Sequence, residues 1–204
     1  LRDLGVGKGD VVSVIAGNIP EMLAAHFAVP TLGAVLNAIN TRLDPEAVQF
    51  ILGHCEAKVL ITDAPRADLG RASDTLPVHV FGQDFDIAKG PLPERIDWRG
   101  VVTDDWQPIA LNYTSGTTGN PKGVVLHHRG AYMNALGNAD ALGFDRDTVY
   151  LWTLPLFHCN GWCHGWAVTS AGGTHVCLDG VDPSQVYNAI EDHGVTNFFC
   201  APVV

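Results

Sequence analysis

Three times along the chain a proline stands just after a candidate cap and opens a helical run: "NIPEMLAAHFAV" from Asn18, "DPEAVQFILGHC" from Asp44 and "DPSQVYNAIEDHG" from Asp182. Proline fixes φ near the helical value and has no N–H to lose in a first turn, and a preceding Asp or Asn oxygen accepts from the free N–H groups there. Asn18 or Ile19, Asp44 and Asp182 are the expected caps, with Glu21 favouring its helix N-terminus and Gln185 in the box position. Val48, Ile51, Leu52 and Cys55 follow at helical spacing. Short apolar, β-branched runs alternate with these helices: "DVVSVIAG" from Asp10, "KVLIT" from Lys58, "VYLWT", "THVCL" and "NFFCA". Strands separated by helices pair in parallel, and a parallel sheet needs cover on both faces. The expected fold is therefore α/β, with parallel-rich sheets flanked by helices.

The pattern divides the chain into an α/β unit over residues 1–63, a surface connection over 64–108 and a second α/β unit over 109–204. The connection is rich in charge, Pro and Gly, and one short strand is expected near "VHVF". Regular structure resumes with a strand, "IALNYT", followed by a loop spanning 113–123, the run "GVVLHH" and a helix from about Arg129 to Leu142.

Twelve basic residues against 22 acidic ones leave a net charge of −10, which repels a polyanion, so nucleic acid is not an expected partner. Five cysteines, an odd and sparse set in 204 residues of which 47% are hydrophobic, point to reduced thiols and a cytoplasmic location. Met22–Thr41 and Thr148–Leu178 lack Asp, Glu, Lys and Arg, but Pro and Gly interrupt both, which fits a buried core or pocket lining and no transmembrane segment. An N-terminus without an initiator Met and a C-terminus inside the apolar "FFCAPVV" are expected to be cuts through a larger protein. Composition sets no oligomeric state.

The loop "YTSGTTGNPKG", Tyr113 to Gly123, reads as either a flexible linker or an anion cradle. A strand running into hydroxyl and Gly residues presents backbone N–H and O–H donors without side-chain bulk, as close approach to phosphate oxygens requires. Lys122 adds the charge. The P-loop pattern is not met, since Pro121 precedes Lys122 and Gly123 follows it where Ser or Thr is needed. "GVGKGD" from Gly5 lacks the spacing too and reads as a turn before the first strand.

These eleven residues resemble, at essentially every position, the signature loop of the adenylate-forming (AMP-binding) superfamily, which includes acyl-CoA synthetases, luciferases and peptide-synthetase adenylation domains. "LGVGKGDVVSVIAGNIPEM", "LGAVLNAINTRL" and "LPLFHCNGW" extend the resemblance, over nearly the whole chain, to the N-terminal domain of acyl-CoA synthetases of fatty-acid metabolism. The resemblance implies a ligase of two steps: a carboxylic acid attacks the α-phosphate of Mg-ATP, and coenzyme A then displaces AMP. It implies that Thr114 helps position Mg2+ and that Ser115, Gly116, Thr117, Thr118, Gly119 and Lys122 cradle the β- and γ-phosphates. Catalytic roles would fall to Thr114, Lys122 and His158. It also implies a Thr-Glu segment, a ribose-binding Asp and a C-terminal lid with a Lys, none of which occurs here, so the expectation is a partial N-terminal domain without ligase turnover of its own.

"FHCNGWCHGW" leaves three readings. His158, Cys159, Cys163 and His164 are zinc-ligand types, but adjacent pairs are a poor match to structural zinc spacings. A packed core histidine with small apolar cysteines is the second reading. The third, supported by the resemblance, is a substrate pocket in which His158 lies beside the nascent acyl-adenylate and Gly161 and Trp162 shape the acyl channel. Amino-acid-activating relatives have an Asp after the Phe. Here His158 follows Phe157 and offers no fixed negative charge, which favours a simple organic acid. If the segment after Gly161 is helical, Trp162 and Trp166 share a face and limit pocket depth. A truncated ATP- or pyrophosphate-binding module without turnover, and an adenylation enzyme with a non-CoA acceptor, are the alternatives.

Overall fold

The computed structural model describes residues 1–86, 100–114 and 120–200. Its helices begin where the proline spacing puts them. Helix α1 (Pro20–Thr31) follows strand β1 (Val11–Ile15), and α2 (Pro45–His54) follows β2 (Val35–Ala38). The carboxylate of Asp44 accepts from Ala47 N at 2.8 Å and so satisfies one of the free N–H groups of the α2 start. Next come β3 (Ala57–Thr62), α3 (Ala67–Ala72), β4 (Val78–Val80), β5 (Pro108–Thr114), β6 (Lys122–His127) and α4 (His128–Leu142). The last third holds β7 (Val149–Trp152), α5 (Cys159–Trp162), α6 (His164–Ala171), β8 (Thr174–Cys177), α7 (Pro183–His193) and β9 (Asn197–Phe198). Asp182 caps α7, accepting from the N–H groups of Ser184 and Gln185.

Two sheets result. The first has six strands in the order β4-β3-β1-β2-β5-β6, parallel except for the antiparallel hairpin pair β5 and β6. The second is an all-parallel trio, β8-β7-β9. One face of the first sheet (Ile15, Ile39, Leu60) packs on Val48, Ile51 and Leu52 of α2. Its other face (Val12, Val14, Leu36, Ala110) meets α1, α4 and α6, and beyond them Tyr150 and Trp152 of β7. The far side of β7 buries Leu151 against Val186 and Ala189 of α7. Helices α1, α4 and α6 are thus sandwiched between sheets, with α2 and α7 outside. Each fully buried Leu or Ile of these layers contributes roughly 1.5–3 kcal/mol.

Several details depart from the expectations above. Strand β2, inside the charge-free Met22–Thr41 stretch, was not anticipated; Gly33, at φ 72°, makes the turn that separates it from α1. The 64–108 connection holds, besides the strand near "VHVF", the short helix α3, whose Gly70 lies so close to Thr62 and Val78 that a Cβ would crowd them. Residues 87–99 of that connection lie outside the described residues. Of the two expected caps for α1, Ile19 holds the position, without a side-chain bond, and Asn18 does not. The Asn18 amide instead donates to Trp152 O at 3.0 Å and Leu154 O at 2.9 Å and accepts from Leu156 N at 2.8 Å, tying the two sheets together. Among the described residues no helix is long and apolar enough to cross a membrane.

Candidate active site

Parallel strands β2 and β5 end on the same edge of the first sheet, and a cavity of about 260 Å³ opens there. Its polar lining is Asn40, Asn112, Tyr113, Thr114, His158 and Cys159. Ala38, Ile39, Leu43, Ile51, Pro121 and Phe157 supply the apolar walls. A crevice outside the carboxyl ends of strands is the usual ligand position in an open α/β sheet. Among the described residues no Asp or Glu lines it.

The β5–β6 hairpin brings the two ends of the Tyr113–Gly123 loop together. Thr114 pairs with Lys122 and Tyr113 with Gly123 across the antiparallel ladder. Thr114 reaches the cavity, while Lys122 is exposed beside it and has no ion pair among the described residues. Ser115, Gly116, Thr117, Thr118 and Gly119, the rest of the expected cradle, lie outside the described residues. The loop's entry is held firmly: Tyr113 Oη and His54 Nδ1 are 2.7 Å apart, and His54 stacks on Phe50. Burial, with a smaller push from Cys55, raises the Tyr113 phenol to about 12, so it is a neutral hydrogen-bonding group at ordinary pH.

His158 lies in the cavity with Thr114, on the segment that leads into α5. Its Nε2 is 4.0 Å from Cys159 Sγ. Gly161 and Trp162 do not join them. Gly161 is buried against Trp152, where a Cβ would come within 2.4 Å of the indole, and Trp162 is 56% exposed. The proposed shared face of Trp162 and Trp166 is overturned. Cys159, Asn160, Gly161, Trp162 and Cys163 all have positive φ, so a regular helix starts only at His164 and the spacing of four carries no helical meaning. Trp166 packs edge-on to His26 and donates its Nε1–H to His26 O. The same left-handed run splits the zinc-ligand types: His158 and Cys159 face the cavity, whereas His164 bonds the Tyr150 hydroxyl at 2.7 Å and burial raises the Cys163 thiol to about 11. Among the described residues no three His, Cys, Asp or Glu side chains gather as a metal site.

Sequence reasoning passed over Asn112 and Asn40. Asn112, 8% exposed, donates from Nδ2 to Phe157 O at 3.2 Å, linking the strand that feeds the loop to the residue before His158. Its signal was a lone amide inside the otherwise apolar start of "IALNYT".

Known proteins resemble the chain over its whole length. The chain is 41% identical to the butyrate–CoA ligase AAE11, peroxisomal, and 44% identical to the benzoate–CoA ligase, peroxisomal, both of Arabidopsis thaliana. Each match covers 100% of this chain and 40% of the relative, so the chain spans about two-fifths of the length of these curated relatives. The inhibitor-bound N-terminal domain of FACL13 from Mycobacterium tuberculosis superposes with a TM-score of 0.84 at 26% identity, over 99% of this chain and 52% of that one. The model of the AMP-binding enzyme family matches residues 1–204, and the chain belongs to that family.

Proposed function

We propose that the chain serves ATP-dependent activation of a small carboxylic acid. The acid's carboxylate oxygen bonds to the α-phosphorus of ATP, pyrophosphate leaves, and the thiol sulfur of coenzyme A then bonds to the acyl carbon as AMP leaves. The observation that carries this reading is the convergence of Thr114 and His158 on one cavity at the mouth of the hairpin closed by Thr114 and Lys122.

The residues fit these roles. Lys122, a cation without a carboxylate partner among the described residues, is suited to neutralise charge that grows on the pyrophosphate leaving group, and so acts more strongly in the transition state than before it. Mg2+ takes oxygen ligands, and the Thr114 hydroxyl beside the cavity is suited to help hold the ion that accompanies ATP, where it would draw charge from the phosphate oxygens. The backbone and hydroxyl donors of Ser115, Gly116, Thr117, Thr118 and Gly119 are proposed to complete the cradle. His158 is proposed to border the acyl-adenylate, while Gly161, packed against Trp152, and the exposed Trp162 do not line the cavity.

The cavity volume corresponds to about nine water-sized groups, enough for an acid of butyrate or benzoate size. With no carboxylate among the described lining residues, the ammonium of an amino acid finds no counter-charge from them. The cytoplasm is the location proposed from the cysteine content, and the peroxisomal names of the two relatives offer the competing compartment.

Titration of the chain with Mg-ATP tests the phosphate site. Lys122→Ala is expected to weaken binding at least about tenfold, the loss of one charge-assisted contact. Undiminished binding by the variant would overturn the role of Lys122. Acyl-CoA formation from short acids separates turnover from the alternatives: nucleotide affinity without thioester favours a binding module, and adenylate formation that ignores coenzyme A favours another acceptor.

A further inference from the structure

The mouth of the β5–β6 hairpin overhangs its sheet. Strand β5 is in register with β2 at Ala110 opposite Leu36 and Leu111 opposite Asn37, then runs on through Asn112 and Tyr113 to Thr114, where among the described residues β6 is its only strand partner. Thr114 and Lys122 close that overhang, so their place against the cavity depends on what holds it from the sides. Successive side chains of a strand point to opposite faces. On one face Asn112 donates to Phe157 O. On the other Tyr113 packs on the cluster around α2, its Oη 2.7 Å from His54 Nδ1 and its ring edge-on to the imidazole at 5.7 Å. The same ring lies across the hairpin: a Cβ on Gly123 would come within 3.4 Å of Tyr113 Cζ, so the glycine leaves room for it on β6, one residue from Lys122.

From this geometry we infer that His54, at the end of α2, is a positioning residue for Mg-ATP: through Tyr113 Oη it sets where the hairpin mouth holds Lys122 and Thr114. The inference rests on the phosphate reading of that hairpin. His54 stands outside the cavity lining and acts through Tyr113, which is part of it. The imidazole is itself steadied by stacking on Phe50 at 5.4 Å. The phenol stays neutral at ordinary pH, and its O–H is a donor that Nδ1 of a neutral imidazole accepts. A charged contact to phosphate is directional, and a hairpin end free to swing spreads Lys122 over positions that do not all reach the phosphate.

The test measures Mg-ATP dissociation constants by calorimetry. Tyr113→Phe, which removes only the hydroxyl, and His54→Ala are each expected to weaken binding roughly three- to tenfold, and the double variant no more than either one. His54→Asn, whose Oδ1 can take the place of Nδ1, should recover most of the loss. In the Lys122→Ala background His54→Ala should cost less than about twofold, because the cation it places is gone. Affinity unchanged in Tyr113→Phe and His54→Ala, losses that add in the double variant, or no recovery in His54→Asn would overturn the inference and leave the phosphate site standing. If the parent chain does not bind Mg-ATP, or Lys122→Ala binds it equally well, the phosphate reading falls and the inference with it. His54 is exposed and Tyr113→Phe keeps the ring over Gly123, so both variants are expected to fold.

Discussion

His26, which is buried, and His175, which is half-buried, take no part in the proposed chemistry and both make the chain less stable in acid. His26 is 2% exposed, its Nδ1 lies 2.8 Å from Met22 O, and burial lowers its pKa to about 4 against the backbone groups of Met22 and Leu156, which favour the charged ring. His175 stacks on Trp152, and its Nδ1 accepts the indole N–H at 3.1 Å. An indole nitrogen only donates, so this ring is neutral with its proton on Nε2, facing Thr169 Oγ1 at 2.9 Å. Burial lowers its pKa to about 4 as well. Above the ordinary histidine value of 6.5 both rings are neutral whether the chain is folded or not, and stability is intact. Between 6.5 and about 4 the unfolded chain takes up protons that the two folded rings refuse, so these histidines lower stability as pH falls, and their own effect is complete below about 4. His26 alone can account for up to about 3 kcal/mol of that loss. Urea unfolding across the window is expected to show the decline, and a flat profile would contradict it.

At the scale of elements, the α2 start offers a clean measurement. Asp44 Oδ1 accepts from Ala47 N at 2.8 Å, and Asp44→Ala removes that bond without touching the cavity. A loss of about 1 kcal/mol in the urea midpoint analysis is expected, and Asp44→Asn should recover most of it. This cap was legible in the sequence because its donor, acceptor and proline lie within four residues. So were β1, β3, β5 and α4, whose apolar runs or helical periods are local. The segment after Phe157 was not legible. Its five consecutive left-handed residues, Cys159 to Cys163, include only one glycine, so nothing in the residue types announces that the helix waits until His164. The loop stood out as a motif, whereas the contact of Asn112 emerged only when β5 was set beside the Phe157 carbonyl.

For the molecule as a whole, the question is what keeps the second sheet in register with the first, since the cavity borrows Thr114 from one and His158 from the segment leaving the other. Apolar packing through α1, α4 and α6 supplies attraction but little direction, because dispersion and water exclusion tolerate sliding. Direction comes from Asn18. Its single amide fixes two carbonyls and one N–H of the Trp152–Leu156 segment, all within 3.0 Å, and the segment runs straight on to Phe157 and His158. Arg66 adds a charged tie, bonding Asp63 at the end of β3 and Asp179 beyond β8 at 2.9 Å, but with Asp179 44% exposed that contact is screened and worth little. Of the two caps the sequence offered, Asn18 and Ile19, the structure uses Ile19; the true partners of Asn18 lie far along the chain, and local patterns carry no such information. Asn18→Ala strands three backbone groups at a buried seam, and a loss of about 2–4 kcal/mol is expected. Asn18→Asp keeps the acceptor for Leu156 N and gives up both donors, so it should also destabilise, by placing a carboxylate against two carbonyls. If the seam rather than the apolar layer sets the register, Asn18→Ala should weaken acid binding and leave Mg-ATP binding at the hairpin much less affected. A variant as stable as the parent, or one that loses both ligands equally while folded, would place the alignment of the sheets elsewhere.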